Sequence, residues 1–192
     1  MNTQATPKRH KSTPPGKLPM PEGQYRTGIW SSGHAICVAN IAAEFVHLED
    51  QMAFLLAALL GTGDLAATRH LLKAIKSPRG RVDVMTDLLQ KAPSNALAPS
   101  TYDDILKEFA AINSRRNAYI HGYWWTFVDN STTWLSEGTS GSTIFLKARA
   151  VEIDELNALM VRIHQCGLSL LSGPLNDLVM AGKVETYQPQ RP

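Results

Sequence analysis

The stretch from Ser32 to Leu60 constrains this chain most, because its apolar residues recur at helical spacing over its whole length. Six of them alternate steps of four and three residues: Ile41, Phe45, Leu48, Met52, Leu55 and Leu59. That spacing places one continuous apolar stripe along a single long helix. Gly61 and Gly63 are expected to end the helix. The fold must therefore bury one face of this helix against other elements.

The rest of the chain shows further apolar repeats of the same period, separated by glycine and proline. We predict helices over Asp64–Lys76, Arg81–Gln90, Ser100–His121 and from about Val151 to Gly173–Pro174. Asp64 is a residue type that caps helices, and Pro78 is expected to break the chain between the second and third helices. The fold class predicted is mainly α, a bundle of about four to five helices.

The composition changes directly after Gly122, from helical repeats to aromatic and β-branched residues. Short strands are predicted over Tyr123–Val128, Thr132–Leu135 and Thr143–Lys147. Asp129 and Asn130 form a turn pair between the first two. We therefore expect a small antiparallel β insert between about Tyr123 and Ala148.

Charge is distributed unevenly along the 192 residues, whose formal net charge is +2. Residues 1–28 hold five basic side chains and one acidic one, so they carry +4 and leave −2 on the remainder. This first segment has few bulky apolar residues, and we predict a disordered basic tail over 1–28. It is either a basic arm for nucleic acid or a solubilising tail. Residues 29–185 are predicted to form a single helical domain and residues 186–192 a frayed tail.

Two features indicate a cytoplasmic protein without a membrane segment. Cys37 and Cys166 provide neither a disulfide framework nor a zinc-binding spacing, which favours a reducing compartment. The longest apolar run, Ala53–Leu60, is too short to span a bilayer. No H-E-x-x-H pattern and no cluster of acidic residues indicates a metal site, and we predict no cofactor.

Arg116 interrupts the apolar stripe of the predicted helix that ends at His121. The stripe continues through Phe109 and Ile112 to position 116 and then to Ile120. A guanidinium does not deprotonate to escape burial, so it requires an anion or a wet cleft. This residue is therefore a candidate for binding a phosphate, which arginine does with two parallel hydrogen bonds.

Asn117 and His121 are four residues apart, so they share a helix face next to Arg116. His121 lies in the last helical turn, where the helix dipole favours an imidazolium, and imidazole is a general acid or base near neutral pH. Asn117 and Arg115 are candidate substrate contacts. An arginine, an amide and a histidine together suit cleavage of RNA by its own 2′-hydroxyl, with the arginine stabilising charge on the phosphoryl oxygens.

Each of these residues also has a structural interpretation. Arg116 pairs with an acidic residue such as Glu44 in one alternative, and His121 caps the helix end in another. Arg115 is either solvated or a second phosphate contact. Trp124 and Trp125 belong either to the core or to a surface that stacks bases.

The sequence R-N-A-Y-I-H-G, from Arg116 to Gly122, resembles the signature of the HEPN superfamily. That signature is an arginine, usually a polar residue, and then a histidine after four to six intervening residues near a helix end. The segment Lys76–Asp83 is similar to a link that precedes the third helix in such proteins. The resemblance covers about residues 31–172, and the Trp-rich strands depart from it.

The resemblance implies a helical bundle that forms a homodimer with the motif helices facing each other. Many members are metal-independent ribonucleases of toxin–antitoxin or phage-defence systems, so RNA and a cognate antitoxin protein are the implied partners. Arg116 and His121 would be catalytic. Other members have lost activity and bind RNA, nucleotide or a partner protein instead. Extra apolar residues on the first helix also favour a dimer: Val38, Ala42, Val46, Phe54, Leu56 and Leu60.

Overall fold

A computed structural model describes residues 24–91, 99–129, 132–136 and 148–177 of the chain. Its helices are α1 (Ser32–Leu60), α2 (Leu65–Ala74), α3 (Pro78–Lys91), α4 (Pro99–His121) and α5 (Ile153–Leu170). Its strands are β1 (Tyr25–Thr27), β2 (Tyr123–Phe127), β3 (Thr133–Ser136) and β4 (Ala148–Ala150). The mainly helical fold with a small antiparallel sheet is thus confirmed.

The long helix α1 lies at the centre of the core and has the bounds that its periodicity predicts. Its apolar stripe is almost fully buried: Ile41, Phe45, Leu48, Met52 and Leu55 are each at most 1% exposed. Gly61 ends the helix with a left-handed backbone (φ 63°), a conformation that glycine adopts without strain. The stripe therefore supplies the surface on which the other helices pack.

Helices α1 and α5 pack side by side in the same direction. His34, near the start of α1, bonds the carbonyl of Val151 just before α5, at 2.8 Å. Further along, the Gln51 side chain of α1 lies against Gly167 of α5, where a Cβ would lie 2.6 Å from Oε1 of Gln51. Together these contacts fix α5 against the central helix and so position the elements at both of its ends.

Helices α2 and α3 differ at their ends from the prediction. Asp64 caps α2 as expected, since its carboxylate accepts from the amide of Ala67 at 2.9 Å. Helix α2 ends at Ala74, short of Lys76, and α3 begins at Pro78 rather than at Arg81. The predicted break between the two helices is present at residues 75–77, and Pro78 occupies the first position of α3, where no amide hydrogen is needed.

The four strands form one antiparallel sheet in the order β1-β2-β3-β4. Strand β1 pairs with β2, with Tyr25 opposite Phe127 and Thr27 opposite Trp125. The sheet thus takes its first strand from the segment predicted to be a disordered tail, and the boundary placed at residue 28 is wrong. All three residues of β1 are exposed, so no alternation of apolar and polar residues marks the strand in the sequence. The backbone pairing to β2 orders it.

The sheet has aromatic residues on both of its faces. Trp124 belongs to the main core and donates its indole N–H to the carbonyl of Tyr119 at 2.8 Å. Trp125 and Trp134 stand opposite each other and are buried in a second, smaller cluster. Trp124 and Trp125 are only 6% and 5% exposed, so the core interpretation is confirmed and the base-stacking alternative is wrong.

The last described strand, β4, covers Ala148–Ala150 and leads into α5. The predicted strand Thr143–Lys147 lies outside the described residues, as do residues 1–23 and the predicted C-terminal tail at 186–192. After α5 the chain kinks at Gly173, whose backbone is non-helical, as the Gly173–Pro174 pair predicts. Within the described ranges no single helix is long and apolar enough to cross a membrane. Helices α1 and α2 have sufficient length and apolar composition only when taken together, and they are bent by 109° where they meet.

Candidate functional site

The candidate site is built from the last two turns of α4 and the turn that follows. Gly122 joins α4 directly to β2, and a Cβ there would lie 2.4 Å from both the carbonyl oxygen of Ala118 and Cδ1 of Leu135. Only glycine fits where the helix end meets the sheet this closely. The junction fixes where the final residue of the helix, His121, is presented.

Arg116 lies partly buried against α1. Its guanidinium carbon is 5.2 Å from the centre of the Phe45 ring, and one terminal nitrogen donates to Oδ1 of Asn117 at 2.8 Å. Its Nε is buried without a hydrogen-bond partner. In the part of the chain that the structure describes, no carboxylate lies within ion-pair distance of this guanidinium.

The structural alternative for Arg116, an ion pair with Glu44, is wrong. The carboxylate of Glu44 faces Nε2 of His164 at 3.4 Å instead. A partly buried cation without a counter-ion is costly for a folded protein, because burial removes hydration that no partner replaces. The partial burial of Arg116 is thus not offset by an ion pair among the described residues.

Asn117 connects Arg116 to an open groove. Because its Oδ1 accepts the hydrogen bond from Arg116, the polar atom left for a ligand is Nδ2, which carries two donors. The groove occupies about 670 Å³ beside the end of α4. Its polar lining consists of Ser114, Arg115, Asn117, His121 and Arg162. Among the described residues, two arginines, a histidine and no carboxylate line it, a composition that suits an anion.

His121 is exposed at the mouth of this groove. Among the described residues it makes no hydrogen bond and no ion pair, so the interpretation of His121 as a side-chain cap for the helix gains no support. Both ring nitrogens remain available to a ligand. This is the arrangement that proton transfer requires, since a general base must approach the proton that it removes.

The three motif residues do not line one strip as the sequence led us to expect. Asn117 and His121 share the groove, whereas Arg116 is absent from its lining. Positions 116 and 121 are five residues apart, which is about 140° around an α-helix. Arg116 consequently reaches the groove through Asn117, and within one chain its guanidinium and the imidazole of His121 point in different directions.

Glu155 of α5 fixes the end of α4 through hydrogen bonds to its side chains. Its carboxylate accepts hydrogen bonds from Arg115, from the hydroxyl of Tyr119 and from two nitrogens of Arg149, at 2.7 and 2.8 Å. Arg115 also stacks over the Tyr119 ring, 5.1 Å from its centre. The prediction of a solvated Arg115 is wrong, because this guanidinium is ordered by the carboxylate while still lining the groove.

The environment of Glu155 shifts its ionisation strongly. Burial alone would raise the pKa of this carboxyl, but the hydrogen bonds from Arg149, Tyr119 and Arg115 outweigh burial and lower the pKa from 4.5 to about 2. The same contact and its own burial raise the pKa of Tyr119. The carboxylate therefore stays charged well below neutral pH.

Replacing Glu155 by glutamine should remove an acid-sensitive part of the stability. A lowered folded pKa adds stability that is fully present above pH 4.5 and is lost as the pH falls towards 2. For a side chain one-third exposed, we expect about 1–2 kcal/mol after allowance for solvent screening. Urea unfolding at a series of pH values measures it. Glu155→Gln should be less stable than the parent at pH 7 and should approach it in acid, whereas the exposed control Glu152→Gln should follow the parent throughout. A constant difference between Glu155→Gln and the parent would contradict this account.

Sequence reasoning missed Arg162, Arg149 and Glu155. Arg162 of α5 lines the groove opposite α4 and is held by both carboxylate oxygens of Glu108, at 2.7 and 3.1 Å. None of the three belongs to a recognisable motif, and only the packing of α5 and β4 against α4 brings them to the site. Among the described residues, no three His, Cys, Asp or Glu side chains are placed to hold a metal ion.

Comparison with protein-family models, with curated proteins and with solved structures finds no match to this chain.

Proposed function

We propose that this chain is a metal-independent endoribonuclease of the HEPN type, in which Arg116 and His121 are the catalytic residues. Asn117 and Arg115 hold the substrate phosphate in the groove. The protein acts in the cytoplasm, in a toxin–antitoxin or phage-defence setting, and a cognate antitoxin protein is the expected partner. The substrate is RNA, since the proposed reaction uses a 2′-hydroxyl group.

The observation that carries the proposal is the state of Arg116. It is partly buried, it has no acidic partner in the described part of the chain, and it holds the Asn117 amide that faces the groove. A phosphate beside Asn117 would accept from Nδ2 of its amide and supply a negative charge near the Arg116 guanidinium. The open shape of the groove suits an extended strand better than a small enclosed ligand.

The proposed reaction needs no group beyond these side chains. His121 takes the proton from the 2′-hydroxyl, and the 2′-oxygen forms a bond to the adjacent phosphorus while the bond to the 5′-oxygen breaks. The imidazolium so formed, or water, protonates the leaving 5′-oxygen. The products are a 2′,3′-cyclic phosphate and a 5′-hydroxyl. Arg116 of the partner subunit, brought to the same phosphate across the proposed dimer interface, stabilises the charge that develops on the phosphoryl oxygens.

The experiment that tests the function is incubation of the full chain with a single-stranded RNA and with the DNA of the same sequence, in buffer containing EDTA. We expect cleavage of the RNA alone. An RNA that stays intact in EDTA but is cut when Mg²⁺ is added would contradict the proposal.

A homodimer also belongs to the proposal. Of the extra apolar residues of α1 that favour it, Leu56 is 3% exposed and Val38 packs on the core. Val46 and Leu60 remain 52% and 46% exposed. The apolar residues left outside include Val161 and Leu168 of α5, which are 53% and 65% exposed. They are seven residues apart, so they share one face of α5, the helix that also carries Arg162.

Charged residues on that face of α5 should therefore separate the dimer. The double variant Val161→Asp/Leu168→Glu is expected to sediment as a monomer at micromolar concentration, while the parent sediments as a dimer. Leu71→Glu is the matched control, because Leu71 is 50% exposed on α2, away from α5. A monomeric parent, or a double variant that still sediments as a dimer, would overturn this interface.

One observation favours a second candidate, a non-catalytic helical dimer that binds RNA, nucleotide or a partner protein with the same groove. The guanidinium of Arg116 and the imidazole of His121 point in different directions within one chain, so a single protomer does not place both on one phosphate. A binder needs only Arg116 and Asn117. Binding of RNA without cleavage, unaffected by His121→Ala, would select this alternative.

A further inference from the structure

A second cavity lies on the opposite side of the core from the groove, between α1, α2, α3 and α4. It occupies about 180 Å³ and shares no lining residue with the groove. An engineered apolar cavity of about 150 Å³ in another protein is large enough to bind benzene. This cavity therefore has room for one six-membered ring.

The wall of the cavity is apolar and well ordered. Met52 and Ala53 of α1, Leu72 of α2 and Phe109 of α4 line it, and each of them belongs to the main core. The Phe109 ring is itself fixed by stacking on Phe45, with 5.7 Å between ring centres. A rigid aromatic wall favours a flat ring as the occupant, because offset aromatic pairs add to the gain from burial.

The rim of the cavity is charged, and most of its charges are paired. Nε of Arg69 donates to Oδ1 of Asp50 at 2.8 Å, and a terminal nitrogen of Arg81 donates to Oε1 of Glu49 at 2.9 Å. Each rim carboxylate is thus neutralised by an arginine. Lys73, the remaining charged residue of the lining, is exposed and has no acidic partner among the described residues.

The rim consequently presents one uncompensated positive charge together with spare donors. Arg69 uses only Nε in its contact with Asp50, so within the described structure its two terminal nitrogens have no acceptor. A carboxylate at the rim would accept from these nitrogens and lie close to the Lys73 ammonium. An apolar wall with a few convergent polar groups is the usual composition of a small-molecule site.

We propose that this cavity is a binding site for a small aromatic monocarboxylate of about the size of benzoate. The ring packs on Met52 and Phe109, and the carboxylate lies at the rim between Arg69 and Lys73. The site does not depend on the groove or on the proposed ribonuclease activity. A ligand of this size, with nine non-hydrogen atoms, should bind with a Kd of about 0.1–1 mM.

The test is a titration of the full chain, labelled with ¹³C at its methionine methyl groups, with three ligands of one shape: benzoate, benzamide and benzamidine. Benzoate should shift the Met52 methyl signal and leave that of Met85 unchanged, because Met85 is fully buried but lies outside the lining. The neutral amide should bind about 10-fold more weakly and the cationic amidine more weakly still.

Two variants test whether the positive charge at the rim recognises the carboxylate of benzoate. Lys73→Ala should weaken benzoate binding about 3- to 10-fold and leave benzamide unchanged, whereas Lys76→Ala, an exposed lysine outside the lining, should change neither. The proposal is overturned if benzoate causes no Met52 shift at roughly ten times the expected Kd. It is also overturned if benzamide or benzamidine binds as tightly as benzoate, or if Lys73→Ala binds benzoate as the parent does.

Discussion

Arg116→Met is expected to lower the rate of RNA cleavage by about 10²–10³-fold while leaving the bundle as stable as the parent or more stable. The activity falls because the guanidinium that stabilises phosphoryl charge is lost. The stability holds because Arg116 has no acidic partner in the described chain to lose, and a methionine keeps the contact with the Phe45 ring. Removing a partly buried charge that has no ion-pair partner also removes its desolvation cost. We expect the free energy of unfolding to change by no more than about 1 kcal/mol in the destabilising direction.

Urea unfolding and single-turnover cleavage of the same preparation measure both quantities. Arg79→Met is the matched control, since Arg79 is an exposed arginine of α3 whose side chain is 92% exposed. It should change neither stability nor rate. Should Arg116→Met lose several kcal/mol and unfold early, Arg116 is a structural residue. Should it fold normally and cleave at the parental rate, Arg116 has no part in the reaction.

His121→Ala is the second change with a large expected effect, a loss of about 10²–10⁴-fold in cleavage rate at unchanged RNA affinity. His121 is exposed and makes no contact with a described polar group, so the fold should lose about 1 kcal/mol or less, through the helix dipole alone. The large expected loss in cleavage rate and the small expected loss in stability together distinguish a proton-transfer residue from one that only stabilises the helix end.

The control for His121 is His47→Ala, which removes an exposed histidine of α1 outside the groove lining. Cleavage by His47→Ala should equal that of the parent, and RNA binding by His121→Ala, measured by fluorescence anisotropy, should also equal it. A folded His121→Ala protein that cuts RNA at the parental rate would remove the histidine from the mechanism and leave the binding alternative.

The helices were predictable because their periodicity is set by one strong cause, the burial of a single face. The stripe from Ile41 to Leu55 gives α1 both its length and its buried side, and Gly61 gives its end. The ends of shorter elements follow weaker local preferences. Pro78 illustrates this, since the same residue stops a helix from one side and starts it from the other.

Strand β1 could not be predicted from the sequence of its own segment. Its residues are exposed, and it is ordered by backbone hydrogen bonds to β2, about a hundred residues away. The predicted insert between Tyr123 and Ala148 therefore contains the two central strands, β2 and β3, but not β1. Strand β4, Ala148–Ala150, begins where the predicted insert ends, and the predicted strand Thr143–Lys147 lies outside the described residues.

The candidate site was predictable only where the motif itself carries it. Arg116, Asn117 and His121 follow from an arginine in an apolar stripe and a shared helix face, and the structure places two of them in one groove. The carboxylate of Glu155 and the guanidinium of Arg162 come from α5, which only tertiary packing brings against α4. Long-range partners of this kind leave no pattern in a single sequence.

The most direct test of the central claim is the analysis of product ends from an RNA that carries a single 2′-deoxy nucleotide at its main cleavage position, incubated with the full chain in EDTA. The account predicts that the all-ribose RNA is cut there and yields a 2′,3′-cyclic phosphate and a 5′-hydroxyl. It also predicts that the 2′-deoxy substitution abolishes that cut and leaves the others. Cleavage at the 2′-deoxy position, or products that carry a 5′-phosphate, would contradict attack by the 2′-hydroxyl and with it the assigned roles of Arg116 and His121.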